Sequence, residues 1–238
     1  MSTSLERVKL QVADGTTMEA CVARPKTENG PGLLVLQEAF GVNGHIRNVA
    51  QRYAALGFTA IAPELFHRSA PPGFEASYGD FASVQPHMSA LTTEGMLADM
   101  RAAYEWLTTD AKISAERIAA VGYCMGGRCV YLANAELPLA AGIAYYGGGI
   151  APALLDRAAK QHAPILMFWG GLDTHIPPEQ YRAVADALTA AGADHEQVVF
   201  AKADHGFNCD ERPSYNPGAA QQALALALEF LRVHGVLR

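Results

Sequence analysis

The sequence predicts a doubly wound α/β domain, a mostly parallel, twisted sheet with helices on both faces. Continuous apolar runs of strand length, such as Gly32 to Gln37 and Pro164 to Trp169, suit strands buried on both sides of a parallel sheet. Segments with helical spacing of apolar residues alternate with these runs, and that alternation implies crossover helices. At 238 residues, with 50% hydrophobic and 18% charged, the chain is the size of one domain covering residues 1–238.

Val8 to Val12 and Met18 to Ala23 read as strands joined by a hairpin turn at Asp14-Gly15. After the strand from Gly32 to Gln37, Ile46, Val49, Ala50, Tyr53, Ala54 and Leu56 repeat at helical spacing, and Gly57 ends that helix. Phe58 to Ala62 is the next strand. Residues 63–93 are rich in Pro, Gly and Ser and read as a long lid-like loop that sets substrate preference. Met96, Leu97, Met100, Ala103, Tyr104 and Leu107 form an amphipathic helix, and a strand through Val121 follows. The remaining pattern is strand Ala140 to Tyr146, a short helix from Ala151 to Gln161 and strand Pro164 to Trp169. Helix Pro178 to Ala191, strand Glu196 to Ala201 and helix Ala219 to Val233 complete it.

The formal charge of −6 and the absence of a basic run argue against a nucleic-acid or anionic-membrane surface. Leu137 to Leu155 carries no charge, but two prolines and a run of three glycines break it, so it does not read as a membrane span. Four cysteines (Cys21, Cys124, Cys129, Cys209) follow a polar, strand-like stretch from Met1 to Gly15 that is unlike a signal peptide, so a reducing cytoplasm is expected. No metal-ligand spacing appears among the Cys and His residues. Neither metal nor organic cofactor is expected, and the chain is expected as monomer or homodimer.

The chemistry concentrates in Gly122-Tyr123-Cys124-Met125-Gly126, a Gly-x-nucleophile-x-Gly elbow between a strand and a helix, with cysteine as the nucleophile. Glycines belong there because a nucleophile on so sharp a turn sits on strained backbone that flanking side chains would strike. At later strand ends come Gly171-Leu172-Asp173 and Asp204-His205-Gly206. Either alone would be an ordinary turn or loop residue. Together they give the order nucleophile, Asp, His at the carboxyl ends of successive strands, which is the α/β-hydrolase order. The other histidines lack that placement and read as surface or loop residues, with His175 the near competitor.

In this reading Cys124 attacks an acyl carbon as thiolate, His205 moves protons and Asp173 fixes the imidazole. The N–H groups of Met125 and Ala39 hold the oxyanion. Glu38 is the odd residue, because a carboxylate beside a thiolate raises the energy of both charges.

Gln37-Glu38-Ala39-Phe40-Gly41-Val42-Asn43, Gly122 to Gly127, Tyr145-Tyr146-Gly147 and His205-Gly206-Phe207 resemble the motifs of the dienelactone hydrolases across almost the whole chain. The resemblance implies an α/β-hydrolase fold and a Cys124–His205–Asp173 triad. It also implies a Glu38 that engages the thiol at rest and helps form the thiolate when substrate binds. Its substrate is an unsaturated lactone carboxylate, held in the family by two arginines, one in the lid region and one shortly after the histidine. The chain departs here, since Cys209 stands four residues after His205 and the long loop offers only Arg68. Arg68, Arg212 and Phe40 are the substrate-binding candidates. The function expected is hydrolysis of a small lactone or ester through an acyl-enzyme. The alternatives are a general esterase or thioesterase, or a catalytically idle small-molecule-binding relative.

Overall fold

The first reversal falls at Asp14-Gly15: β1 (Leu5–Gln11) pairs antiparallel with β2 (Thr17–Ala23), Leu5 opposite Ala23 and Gln11 opposite Thr17. Asp14 accepts the Thr16 N–H at 3.0 Å, and Gly15 takes φ 86°. The computed structural model describes residues 5–26 and 29–237, so the part of the N-terminal expectation that concerns residues 1–4 lies outside the described residues.

From there strands and helices alternate. β3 (Gly32–Leu36), α1 (Gly44–Ala55), β4 (Thr59–Pro63), α2 (Phe81–Ala90) and α3 (Thr93–Thr109) lead to β5 (Ile118–Tyr123). α4 (Met125–Glu136), β6 (Ala141–Tyr145), β7 (Ile165–Gly170), α5 (Pro178–Ala191), β8 (His195–Phe200) and α6 (Pro217–Val233) follow. The eight strands form one sheet in the order β1-β2-β4-β3-β5-β6-β7-β8. β2 also pairs antiparallel with β4, and every pair from β4 to β8 is parallel. Every residue of β3, β4, β5, β6 and β7 is buried, which is why these runs carry no polar alternation.

Local signals set the helix ends. Asn43 caps α1 by accepting the Ile46 N–H at 3.2 Å, and α1 buries Ile46, Val49, Ala50, Tyr53 and Ala54 against the sheet. α5 stops at Gly192, which takes the left-handed φ of 68° that a helix C-terminus favours.

Two expectations change. Residues 63–93 are not one irregular loop, because α2 sits inside them, capped by Asp80, whose side chain accepts the Ser83 N–H. Its sequence hides it: Pro86 lies within the helix and Val84 is its buried residue, so no apolar stripe announces it. The helix expected from Ala151 to Gln161 is a 3-10 helix over Leu155–Lys160, with Ala158 its buried residue. So little apolar surface does not sustain a longer helix.

One large apolar core fills the space between sheet and helices, and a small separate cluster of Ala39, Phe40 and Val84 lies under α2. No helix among the described residues is long and apolar enough to cross a membrane.

The chain order reverses at β3, which leads to β4 on one side and, after α3, to β5 on the other. In open parallel sheets a crevice forms at such a reversal, outside the carboxyl ends of the strands. Close backbone approach builds it here. A Cβ on Gly126 would lie 2.1 Å from the Leu36 carbonyl oxygen, and one on Gly122 2.0 Å from the Gly126 carbonyl oxygen. Neither obstacle is a flexible side chain. Gly126→Ala is therefore expected to cost about 3 kcal/mol or more, at or above the usual range for overpacking. Gly218→Ala, whose nearest neighbour is a side-chain atom at 3.6 Å, is expected to change stability by less than about 0.5 kcal/mol. Urea unfolding of both variants checks this, and similar midpoints would contradict it.

Candidate active site

Cys124 directly follows β5 and caps α4 with φ 55° and ψ −116°, a backbone conformation that a non-glycine residue adopts at a cost of order 1–3 kcal/mol. The turn is pinned on both sides. The Cys124 N–H donates to the Tyr145 carbonyl at 3.0 Å, and the Cys124 carbonyl accepts the Gly127 N–H at 3.0 Å. The thiol is half-buried and stands at the start of α4, whose first residue, Met125, offers one of the orphan N–H donors of a helix N-terminus. Ala39 lies on the turn after β3, buried beside Phe40.

Asp173 follows β7 and His205 follows β8, and both are buried. The Asp173 Oδ2 lies 2.7 Å from His205 Nδ1. Its other oxygen accepts the N–H groups of His175 at 2.8 Å and Ile176 at 3.1 Å, so the carboxylate is fixed by its own turn. Burial works against both charges, but the bond to His205 and the backbone donors hold Asp173 below its ordinary value. Burial likewise opposes the His205 cation, yet hydrogen bonds and charge from Asp173 and Cys124 outweigh it and raise it to about 10. Cys124, His205 and Asp173 thus form one hydrogen-bonded line. His175, exposed and 5.4 Å from the His205 ring, contributes its backbone N–H to Asp173 rather than its ring.

Glu38 is fully buried, and its partners differ from the expected thiol. Oε2 accepts the Tyr78 hydroxyl at 2.7 Å, and Oε1 accepts Arg212 Nη1 at 3.2 Å. The Arg212 guanidinium also lies 5.4 Å over the Tyr78 ring. With two donors on its carboxylate, Glu38 is turned to Tyr78 and Arg212, while the thiol is turned to His205. Burial and the neighbouring Glu38 charge push the Tyr78 phenol far above its ordinary range, so it stays protonated and donates. Gly206 makes room for this arrangement. It takes φ 79°, and a Cβ there would lie 2.5 Å from Arg212 Nη1.

The three substrate-binding candidates part company. Arg212 joins the site. Arg68 does not: Nη1 and Nη2 each bond Asp99 at 2.8 Å and Nε bonds Asp14 at 2.7 Å, so its donors serve a buried acid on α3 and the first hairpin turn. Phe40 is buried, packed edge-on to Tyr78 at 4.8 Å and to Phe81 at 5.4 Å, and anchors the segment that carries α2. Of the histidines expected as surface or loop residues, His45 is buried and His67 is half-buried. His45 packs 5.8 Å from the Tyr123 ring, and His67 bonds Asp99 at 3.0 Å. Burial lowers the His45 cation from its ordinary value.

Sequence reasoning missed Tyr78, because Ser77-Tyr78-Gly79-Asp80 carries neither periodicity nor a motif. It also missed a group without any sequence spacing. Glu38, His45 and Cys209 bring a carboxylate oxygen, an imidazole nitrogen and a sulfur within 4.8 Å of one another.

The sheet order and the strained turn at Cys124 make this an α/β hydrolase fold. Residues 18–235 match the model of the Dienelactone hydrolase family. A Salmonella typhimurium protein named as a proposed carboxymethylenebutenolidase is 36% identical over 237 residues, covering 94% of this chain and 85% of its own length. One of the same name from Methylorubrum extorquens is 34% identical, covering 96% of this chain and 81% of its own. The crystal structure of a proposed dienelactone hydrolase from Klebsiella pneumoniae superposes with a TM-score of 0.86 at 32% identity, over 96% of this chain and 99% of that one. The chain belongs to the dienelactone hydrolase family and is a hydrolase of ester or lactone bonds.

The raised His205 cation makes stability depend on pH with a definite sign. Its pairing contributes fully below about 6.5 and is lost as pH rises through about 10. Thermal unfolding is expected to show a falling Tm across that window, and a smaller fall in Cys124→Ala, where one of the two partners is gone. Equal falls in both proteins would show that Cys124 does not stabilise the cation.

Proposed function

We propose that this chain hydrolyses a small ester or lactone through a covalent acyl-enzyme on Cys124, with His205 and Asp173 as its partners. The observation that carries the reading is the hydrogen-bonded line from the strained Cys124 through His205 to the fixed Asp173 carboxylate. A thiolate paired with a stabilised imidazolium is the nucleophilic form of cysteine at neutral pH.

The steps follow. Cys124 Sγ attacks the carbonyl carbon, and the carbonyl electron pair moves onto oxygen, where the N–H groups of Met125 and Ala39 receive it. Collapse breaks the bond to the leaving oxygen, which takes the proton of His205. In a lactone that oxygen stays tethered to the acyl chain. Water then attacks the thioester, passes a proton to His205 and releases the Cys124 thiolate. Asp173 holds the imidazole in orientation throughout and stabilises its cation.

Arg212 takes the substrate-binding part left open by Cys209 at the position where the family resemblance places an arginine. It is half-buried and interacts electrostatically with Cys124, and its guanidinium has donors beyond the Nη1 used on Glu38. Glu38 and Tyr78 are positioning residues that hold the guanidinium in place. A substrate carboxylate gives that cation a second partner. The substrate class supported best is therefore a small lactone or ester bearing a carboxylate.

Cys124→Ala is expected to lower kcat by at least about 10³-fold, and adding His205→Ala to it is expected to lower kcat little further, because such residues act as a unit. Mutant turnover within tenfold of wild type would sink the assignment. Of the four thiols, Cys124 alone is half-buried rather than buried, and a neutral alkylating reagent is expected to label it first, more slowly in His205→Ala. Arg212→Lys is expected to raise KM for acidic esters more than for neutral ones, while Arg68→Ala leaves the ratio unchanged. The reverse pattern would return the anion-binding part to Arg68.

A further inference from the structure

Glu38, His45 and Cys209 come from three separate segments: the turn after β3, the second residue of α1, and the connection between β8 and α6. Their ligand-type atoms lie within 4.8 Å of one another, and all three residues are buried. His45 has no exposed surface, and neither ring nitrogen has a hydrogen-bond partner. Burying a polar group unpaired is costly, so a fully buried imidazole with two bare nitrogens calls for a partner. Asp210 Oδ1 stands 3.5 Å from Nδ1, beyond good hydrogen-bond length but close enough to orient the ring. Nε2 has no hydrogen-bond partner either.

We propose that Glu38, His45 and Cys209 bind a zinc-type divalent cation, and that occupancy inhibits the hydrolase by drawing Glu38 away from Arg212 and Tyr78. One imidazole nitrogen, one sulfur and one carboxylate oxygen make a donor set suited to zinc, with soft sulfur disfavouring magnesium or calcium. Binding forms a metal–sulfur bond and releases the Cys209 thiol proton to solvent, so thiolate and carboxylate together neutralise the ion. The Asp210–His45 approach is the carboxylate–histidine pairing that commonly supports a metal-bound imidazole. Bond lengths near 2.0–2.3 Å place tetrahedral zinc ligands roughly 3.3–3.7 Å apart, so the three atoms need to draw together by about 1 Å.

An entry path lies alongside. A surface cleft of about 490 Å³ is lined by Asn43, Gly44, Tyr78 and the acidic Glu75 and Glu211. Tyr78 bridges cleft and cluster, since its hydroxyl bonds Glu38 Oε2. Arg212 is the opposing force. Its Nη1 is 3.2 Å from Glu38 Oε1, and a second cation on the same carboxylate is unfavourable. The ion and Arg212 therefore compete for Glu38. That competition makes the site weaker than a structural zinc site and couples it to catalysis.

Binding can be read without turnover, so its outcome is separate from the role of Cys124 in hydrolysis. The full chain carrying Cys124→Ser, which removes the half-buried thiol, is titrated with Co²⁺ and with Zn²⁺. One equivalent is expected to bind, Co²⁺ with a thiolate charge-transfer absorption band. Adding Cys209→Ala is expected to abolish the band, and adding His45→Gln to weaken binding at least about tenfold. Should His45→Gln fail to fold, Cys209→Ala decides alone. With Cys124 present, Zn²⁺ is expected to inhibit hydrolysis, and Cys209→Ala, measured against its own zinc-free rate, to need at least about tenfold more. A band that survives Cys209→Ala, or no bound equivalent, would overturn the site. Equal zinc sensitivity with and without Cys209 would place the inhibition at Cys124 and His205 and overturn the regulatory half.

Discussion

The structure depends on a backbone bend at Cys124. A non-glycine residue held at φ 55° stays there only because its neighbours leave it no alternative. Those neighbours are largely main chain: the Tyr145 carbonyl takes the Cys124 N–H, and Gly122 and Gly126 allow the turn to sit against the end of β3. The strain is thus spread over β3, β5 and β6, three of the wholly buried strands of the sheet. Any opening of the bend would separate strands that make the core, so Cys124 is held by the stability of the whole domain.

Charge is arranged around that bend in two groups. Asp173 and His205 form one, with the thiol as third member. Glu38, Arg212 and Tyr78 form the other. A fully buried carboxylate would be costly without a cation of its own, and Arg212 supplies one to Glu38. The two groups are each internally paired, which lets the two acidic residues Glu38 and Asp173 coexist in one buried region. Removing Arg212 would leave Glu38 buried and uncompensated, a situation that typically costs about 3–5 kcal/mol.

The sequence was most readable where backbone rules act over a few residues. The apolar runs of β3 and β7, the cap at Gly192 and the Gly-x-Cys-x-Gly bend each state their geometry locally, and the strand-end positions of Asp173 and His205 follow from the sheet. Contacts made across long separations were not readable. Glu38 and Arg212 are far apart in sequence and nothing near either names the other, so the expected thiol contact of Glu38 gave way to an ion pair. The partners of Arg68 were unreadable for a similar reason: Asp99 lies on the amphipathic helix α3, where a buried acid leaves no trace in the periodicity. α2 was hidden because it packs through a small separate cluster at Phe40 rather than along a stripe.

The connection between β8 and α6 carries both the imidazole of His205 and the guanidinium of Arg212, the latter seated directly against the bare backbone of Gly206. In the proposed mechanism, proton transfer and recognition of substrate charge therefore sit on one short piece of chain. A lineage that drifts toward neutral esters by altering this segment risks moving its own base, whereas changes in the α2 segment leave the base alone. Diversification of substrate within such a scaffold is consequently easier from the lid side than from the histidine side. A lost anion site would be more readily replaced from elsewhere than rebuilt in place.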